Sequence, residues 1–385
     1  MKVNLNSLRD FSIFCVRMPR KSLSESGMCD LKFLFGLSER GKLDVIQFCR
    51  EKGMISSEYE CPDCGREMRL VEYKEGVDGY RWRCDWSKEG KRHVVNRSIR
   101  GGSWFERSKL GMDDILILTY GWVEKFTNGQ LARMARVSSN TATDWCNFCR
   151  EVCMGICLEE SVSIGGEGTT VEIDESMFGK RKHHRGKPVK GRWVFGGVQR
   201  GSDECFFEVV KERTKETLLE VIKRRILPGT TVISDCFASY KCLQDEGYKH
   251  YAVNHKVTFK DPVTGAHTNT IEGSWSWIKR QLRGKRPVNG PFDPYLAEFM
   301  WRKRHKNDPY SLFDSFLRAI IKIYPPIKND RQRIENRDPG ASGDSGSSDD
   351  DEEVSQPGPS TKKKKLTKKV SSLSLFRFFK LFRGN

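Results

Sequence analysis

Three acidic side chains stand out for the company they keep. Asp174 lies near the end of the β-branched run "TTVEIDES", and Asp235 ends "TTVISD". Glu272 is the single carboxylate of "GAHTNTIEGSWSWIKRQLRG", among hydroxyls, aromatics and basic groups. Carboxylates brought together from separate elements suit a pair of Mg²⁺ ions ~3.5–4 Å apart, since hard cations take oxygen ligands and phosphates supply the remainder. One such ion activates a water or a 3′-hydroxyl, and the other stabilises the leaving oxygen in an in-line displacement at phosphorus. Each acid also has a plainer reading. Asp174 and Asp235 fit strand-end turn residues, and Glu172 and Glu175 fit solvated neighbours. Asn269-x-x-Glu272 has the spacing of a capping box that satisfies free helix N–H groups.

A second set is built on sulfur. Cys61 and Cys64 in "CPDCG" are followed by Cys84 in "YRWRC", which is the spacing of a zinc ribbon. No cysteine follows where a fourth ligand belongs. His93 in "EGKRHVV" is the nearby residue with suitable chemistry, because Zn²⁺ accepts imidazole nitrogen beside thiolates. A ribbon that has lost its metal is the alternative. Cys146, Cys149, Cys153 and Cys157 fall at helical spacing on one face and read as small buried hydrophobes. The chain has 13 cysteines and an N-terminus without the apolar core of a secretory signal, so the expected compartment is reducing.

The elements that must carry these groups follow from periodicity. "TTVEIDES", "GRWVFGGVQR" and "ECFFEVVKER" read as three antiparallel strands, and "TKETLLEVIKRRIL" as a Thr-capped amphipathic helix. A buried strand ending in Asp235 follows, then a helix, the short strand "HYAVNH" and the helix of Glu272. That order predicts an α/β fold with a ribonuclease H-like mixed sheet flanked by helices. It puts Asp174 and Asp235 on neighbouring strands. On the last helix Ile271, Trp275, Ile278 and Leu282 share the face that packs on the sheet, while Glu272, Ser276, Lys279 and Arg283 run along the adjacent face.

The expected organisation is a helical region at 1–57, a zinc-ribbon-like module at 58–110 and a helical segment at 111–160. The catalytic sheet occupies 165–295, a helical extension 296–328 and a disordered tail 329–385. In the second helical segment, the short helix Gln130–Arg136, a turn at Val137–Ser139 and a helix carrying Trp145, Phe148 and Val152 inward fit either a helix-turn-helix or a plain helical hairpin. The tail is acidic and Gly/Ser/Pro-rich, then basic in "TKKKKLTKK". Lys362 to Lys369 fits a nuclear-localisation run or a solvated linker, and "SSLSLFRFFKLFRGN" fits a short amphipathic helix.

Composition narrows the partner. Lys plus Arg number 68 against 51 Asp plus Glu in 385 residues, a formal charge of +17. The balance points to a polyanion, nucleic acid above all. No apolar run approaches the ~20 residues of a membrane span.

"VEIDES", "GRWVFGGV", "VISDCFASY" and "HTNTIEGSWSWIKRQLRG" together resemble the ISXO2-like transposase domain, shared by bacterial insertion-sequence transposases and eukaryotic Merlin-type elements. The resemblance runs from about Cys61 to Pro294. It implies a DDE transposase on a ribonuclease H-like fold, with Asp174, Asp235 and Glu272 at the matching acidic positions and Mg²⁺ or Mn²⁺ as cofactor. It further implies double-stranded DNA, both transposon ends and target, as partner of a homo-oligomer, while the basic run Lys362 to Lys369 is the ground for expecting it in the nucleus. The family's N-terminal zinc ribbon has four ligands, of which Cys61, Cys64 and Cys84 match and the last cysteine is absent. Candidate phosphate contacts are Lys180, Arg181, Lys187 and Lys190 in the loop 179–192, with Lys279, Arg280, Arg283, Lys285 and Arg286. His183 and His184 read as part of that solvated basic loop. Two rival classes remain: a domesticated, catalytically silent DNA-binding regulator, and an RNA-directed nuclease.

Overall fold

Alternating β-branched and aromatic residues build the central sheet, and two aromatic-rich helices close one of its faces. The computed structural model describes residues 29–88, 91–160, 163–179, 191–253, 265–282, 291–308 and 311–335. The chain opens with α1 (Leu31–Arg40) and α2 (Lys42–Glu51), then β1 (Arg69–Glu72), β2 (Tyr80–Lys88) and β3 (Lys91–Ser98). Three helices follow: α3 (Met112–Val123), α4 (Asn128–Met134) and α5 (Ser139–Glu159). The main sheet region contains β4 (Ile164–Gly165), β5 (Thr170–Phe178), β6 (Arg192–Gln199), β7 (Cys205–Val210) and α6 (Lys215–Arg225). It continues through β8 (Ile226–Leu227), β9 (Thr231–Asp235), β10 (Lys249–Val253) and α7 (Asn269–Gln281). Finally come α8 (Asp293–Arg304), α9 (Leu312–Ile323) and α10 (Asp330–Glu335). The fold is mixed α/β.

The five-stranded sheet has the order β10-β9-β5-β6-β7. β5, β6 and β7 pair antiparallel, while β9 runs parallel to β5 and β10 parallel to β9. β5 is therefore central and covered on both faces. Val171 and Ile173 pack with Leu218, Val221 and Ile222 of α6. Phe178 packs on the opposite face with Ile271, Trp275 and Ile278 of α7 and with Leu296 and Phe299 of α8. Because side chains alternate along a strand, Glu172 and Asp174 share the α7 face. Two glycines of β6 leave room for the aromatic rings. A Cβ on Gly196 would lie 2.5 Å from Phe207 and 3.0 Å from Trp275, and one on Gly197 would lie 2.4 Å from Phe206.

α5 packs along α8, and an ion cluster fastens the helical layer. Arg150 Nε donates to Glu298 at 2.9 Å, and Arg302 Nε donates to the same carboxylate at 3.0 Å. Arg302 also donates to the carbonyls of Trp122 and Val123, both at 2.8 Å, at the end of α3 where intrahelical partners run out. Cys146, Cys149 and Cys153 are buried on the face that this layer covers, as small hydrophobes should be.

The structure departs from the sequence reading in several places. Between β9 and β10 stands a 3-10 turn at Ala238–Tyr240 in place of a helix. Short i→i+3 bonds run on through Leu243 and Glu246, while Tyr240 and Leu243 are pinned in the core. Phe148 is exposed, stacked edge-on against Trp145, since α5 turns a different face to its neighbours. The small parallel pair β4–β8 lacks a pattern long enough to read. The segment from 329 starts with α10, whose Asp330 accepts from Tyr59 Oη at 2.6 Å and from Arg97 Nε at 2.9 Å. Those two bonds supply the order that composition denies it. Residues 336–385, with the basic run and the aromatic end, lie outside the described residues. No helix among the described residues is long and apolar enough to cross a membrane.

Candidate active site

Asp174, Asp235 and Glu272 come from three elements yet line a single open cleft, together with Ser176, Thr268, Trp275, Ser276 and Lys279. Asp174 lies on central β5 opposite Gly196, and Asp235 ends the neighbouring parallel strand. Glu272 sits in the first turn of α7. The apolar face predicted for this helix is buried on the sheet, which turns Glu272, Ser276 and Lys279 into the cleft.

Each acid is held by a donor. Trp275 Nε1 donates to Asp174 Oδ2 at 2.9 Å, and the Phe237 N–H donates to Asp235 Oδ1 at 2.9 Å. Thr268 Oγ1 donates to Glu272 Oε1 at 3.0 Å. The predicted box between Asn269 and Glu272 does not form. Thr268 occupies the N-cap, and its side chain makes no cap bond to the helix backbone.

Glu172 and Glu175 are not solvated. Both sit on a strand covered on both faces, where an acid is cut off from bulk water. Glu172 is wholly buried, and Glu175 is held by Tyr240 Oη and by Arg213 Nη1 at 3.1 Å on the α6 face. Their burial is available in the sequence, since "VEIDES" reads as a central strand. Their partners are not.

Burial, with Glu175 and Asp235 as neighbouring like charges, pushes the Asp174 carboxyl up to about 7. Among the described residues neither Asp174 nor Asp235 has an ion-pair partner, so the negative charge of the two aspartates is not paired off within the cleft. Carboxylate oxygens are the ligand type that Mg²⁺ or Mn²⁺ takes. The three acids share one cleft, although among the described residues their oxygens do not close to within 4.8 Å of one another as the Cys/His ligands do. The shift has a testable sign. Unfolded Asp174 ionises near its ordinary 3.8 and the folded group near 7, so folding loses stability between those values as pH rises. Asp174→Asn is expected to raise the melting temperature at pH 8 without added divalent ions, by on the order of 1–3 kcal/mol of stability. The difference from wild type should shrink towards pH 5. Parallel melting curves across that range would remove the electrostatic account.

The second cluster lies in the three-stranded antiparallel sheet β1–β2–β3. Cys61 and Cys64 flank a tight turn closed by Gly65 N–H to the Cys61 carbonyl at 2.8 Å. Cys84 on β2 and His93 on β3 fall on one face, because Cys84 pairs with Val95 and His93 with Trp86. The four ligand atoms lie within 4.8 Å of one another. Cys61 Sγ is 3.6 Å and Cys84 Sγ 3.4 Å from His93 Nε2, and Cys64 and Cys84 sulfurs are 3.7 Å apart. A tetrahedron with Zn–S ~2.3 Å and Zn–N ~2.0 Å has edges of ~3.5–3.8 Å, which these distances match. Burial and the adjacent thiols push Cys84 up to about 12, whereas the Arg66 backbone N–H lowers Cys64.

Of the candidate phosphate contacts, Lys279 and Arg280 are exposed on α7. Lys180, Arg181, Lys187, Lys190, Arg283, Lys285 and Arg286, like His183 and His184, lie outside the described residues.

The model of the ISXO2-like transposase domain matches residues 165–304, from β4 to the end of α8. An uncharacterized transposase-like protein of Haemophilus influenzae is 30% identical over 118 residues, covering 30% of this chain and 90% of that protein. Among solved structures, the HTLV-2 integrase catalytic core domain in complex with magnesium aligns at 14% identity and TM-score 0.24, covering 35% of this chain and 84% of that one. The Mos1 transposase paired-end complex aligns at 14% identity and TM-score 0.17, covering 54% and 77%.

Proposed function

The chain belongs to the ISXO2-like transposase family, and on that premise we propose that it is a metal-dependent DNA transposase that cuts and rejoins phosphodiester bonds. The sheet, with antiparallel β5–β6–β7 and parallel β9 and β10, supports a ribonuclease H-like framework. The observation that carries the reading is the single cleft that Asp174, Asp235 and Glu272 line beside Lys279. These acids would hold Mg²⁺ or Mn²⁺, which when bound activates the attacking hydroxyl and stabilises the leaving oxygen.

The chain's own groups prepare that chemistry. The Trp275 indole and the Phe237 N–H fix the two aspartates, so their lone pairs face the cleft without rotamer search. The Thr268 hydroxyl orients Glu272. Lys279, on the same wall, offers positive charge to a phosphate that the carboxylates would otherwise repel. Cys61, Cys64, Cys84 and His93 would hold Zn²⁺ and stiffen a DNA-gripping module, with α4 and α5 as a second DNA contact. Assembly as a homo-oligomer on transposon ends in the nucleus completes the reading.

The test is a strand-transfer assay with duplexes bearing the element's ends, in Mg²⁺ or Mn²⁺, with RNA duplex as competitor. Joined DNA strands, unaffected by RNA, are the expected product. DNA binding with no nicking in either metal would replace the enzyme by a silent DNA-binding regulator, and RNA cleavage would replace it by a nuclease. Lys279 and Arg280 give a separate readout. Changing both to Gln should weaken DNA binding and reduce the slope of log affinity against log salt by about 1.8, roughly 0.9 for each phosphate no longer neutralised. An unchanged slope would remove them from the interface.

A further inference from the structure

Glu172 is a fully buried acid two residues before Asp174 on β5. Both of its oxygens are engaged. Oε2 accepts the backbone N–H groups of Thr270 at 2.8 Å and Ile271 at 3.0 Å. Oε1 accepts from Thr270 Oγ1 at 2.8 Å and from Arg200 Nε at 2.7 Å, with His267 Nδ1 3.5 Å away. Arg200 Nη2 in turn donates to the His267 carbonyl at 2.6 Å, just ahead of the helix.

Thr270 and Ile271 belong to the first turn of α7, where N–H groups have no intrahelical partner. A cap normally comes from the helix's own chain neighbour, and here the N-cap Thr268 makes no such bond. The carboxylate that takes its place comes from the central strand, ninety-eight residues upstream. Its charge also lies at the positive end of the helix dipole. Glu272 stands one residue beyond Ile271. Alongside the apolar seat of Ile271, Trp275 and Ile278, a side chain on the same strand face as Asp174 therefore ties the first turn of the Glu272 helix to that strand.

We propose that Glu172 is a positioning residue that locks the Glu272 helix to the Asp174 strand and so sets the metal-binding geometry of the cleft. The inference rests on the acidic-set reading above. Glu172 is not itself a ligand, because its oxygens are committed to α7 and Arg200. Partners behind a metal ligand set affinity by holding the ligand in place, and their loss weakens binding by about 10–100-fold.

The test uses the full chain, zinc-loaded and purified without chelator, with Mn²⁺ binding followed by titration and electron paramagnetic resonance. Glu172→Gln, which cannot accept both N–H groups and pair with Arg200, is expected to weaken Mn²⁺ binding about 10–100-fold. The Mn²⁺ concentration for half-maximal strand transfer should rise in parallel, with DNA affinity in the absence of divalent ions unchanged. Glu208→Gln is the control for plain destabilisation, since Glu208 is a buried acid paired with Arg224 and Arg225 on β7. It should leave Mn²⁺ binding as in wild type. If Glu172→Gln does not fold, Thr270→Ala decides, because it removes one donor to Glu172 at an exposed position and should weaken Mn²⁺ in the same direction. Folded Glu172→Gln with wild-type Mn²⁺ affinity overturns the proposal, as does Thr270→Ala without effect. Wild-type protein whose Mn²⁺ binding Asp235→Asn leaves unchanged would instead overturn the acidic-set reading.

Discussion

Asp235→Asn is expected to lower DNA strand transfer by about 10³-fold or more, ~4 kcal/mol of transition-state stabilisation, while DNA affinity holds or rises slightly. The substitution preserves shape, and the amide oxygen can still accept the Phe237 N–H that fixes the side chain at the end of β9. What disappears is one of the three carboxyl groups that line the cleft. A hard divalent cation loses a charged ligand, whereas a DNA phosphate loses a repulsive neighbour, so catalysis and binding should move in opposite directions. The double variant Asp174→Asn/Asp235→Asn should be scarcely less active than Asp235→Asn alone, because groups that serve one metal set fail as a unit. Joined and nicked products resolved on a denaturing gel measure the rate, and salt-matched gel shifts measure binding. Residual activity within about tenfold of wild type would remove Asp235 from the chemistry, since loss of a metal-holding charge costs several kcal/mol.

Strand alternation and helix periodicity carry the acidic set a long way. Asp174 and Asp235 are legible because a β-branched run ending in an acid fixes which strand it closes. Glu272 is legible because the apolar residues Ile271, Trp275 and Ile278 leave only one orientation for α7, and all three are buried. Periodicity says which face is covered, but not what a covered polar group will meet. Glu172 illustrates this: its parity matches Asp174, but its partners Arg200, Thr270 and Ile271 are brought to it only by the tertiary fold. For the same reason spacing points to a local box at the start of α7, when a distant carboxylate supplies the cap. The packing of α5 on α8 has no local signal either, because the Arg150–Glu298–Arg302 cluster joins segments that nothing in the nearby sequence connects. Phe148 is misplaced by periodicity as a consequence, since the partner that decides which face of α5 is buried lies far along the chain.

Removal of zinc should have the largest effect on stability. The sheet β1–β2–β3 offers a small core, with Trp82, Cys84 and Val95 among its buried side chains. So few apolar groups do not offset the entropy of ordering some thirty residues, and a metal binding only the folded module would make up the difference. Structural zinc in small modules contributes ~10 kcal/mol or more of apparent folding free energy. Here part of that is shared with the pairs Arg100–Asp78 and Arg97–Asp330, which also anchor the module. One zinc per chain is therefore expected, with release on chelation in excess Mg²⁺ accompanied by loss of protection in β1–β3 while the main sheet stays protected. Cys84→Ser should abolish the metal, because a hydroxyl cannot replace the thiolate that His93 faces at 3.4 Å. His93→Cys should retain it, since thiolate satisfies the same tetrahedral corner, and His93→Ala should not. Metal analysis showing well under one zinc per chain, with hydrogen exchange in β1–β3 indifferent to chelator, would mean that the four side chains pack together without a metal and that the missing cysteine marks a lost site.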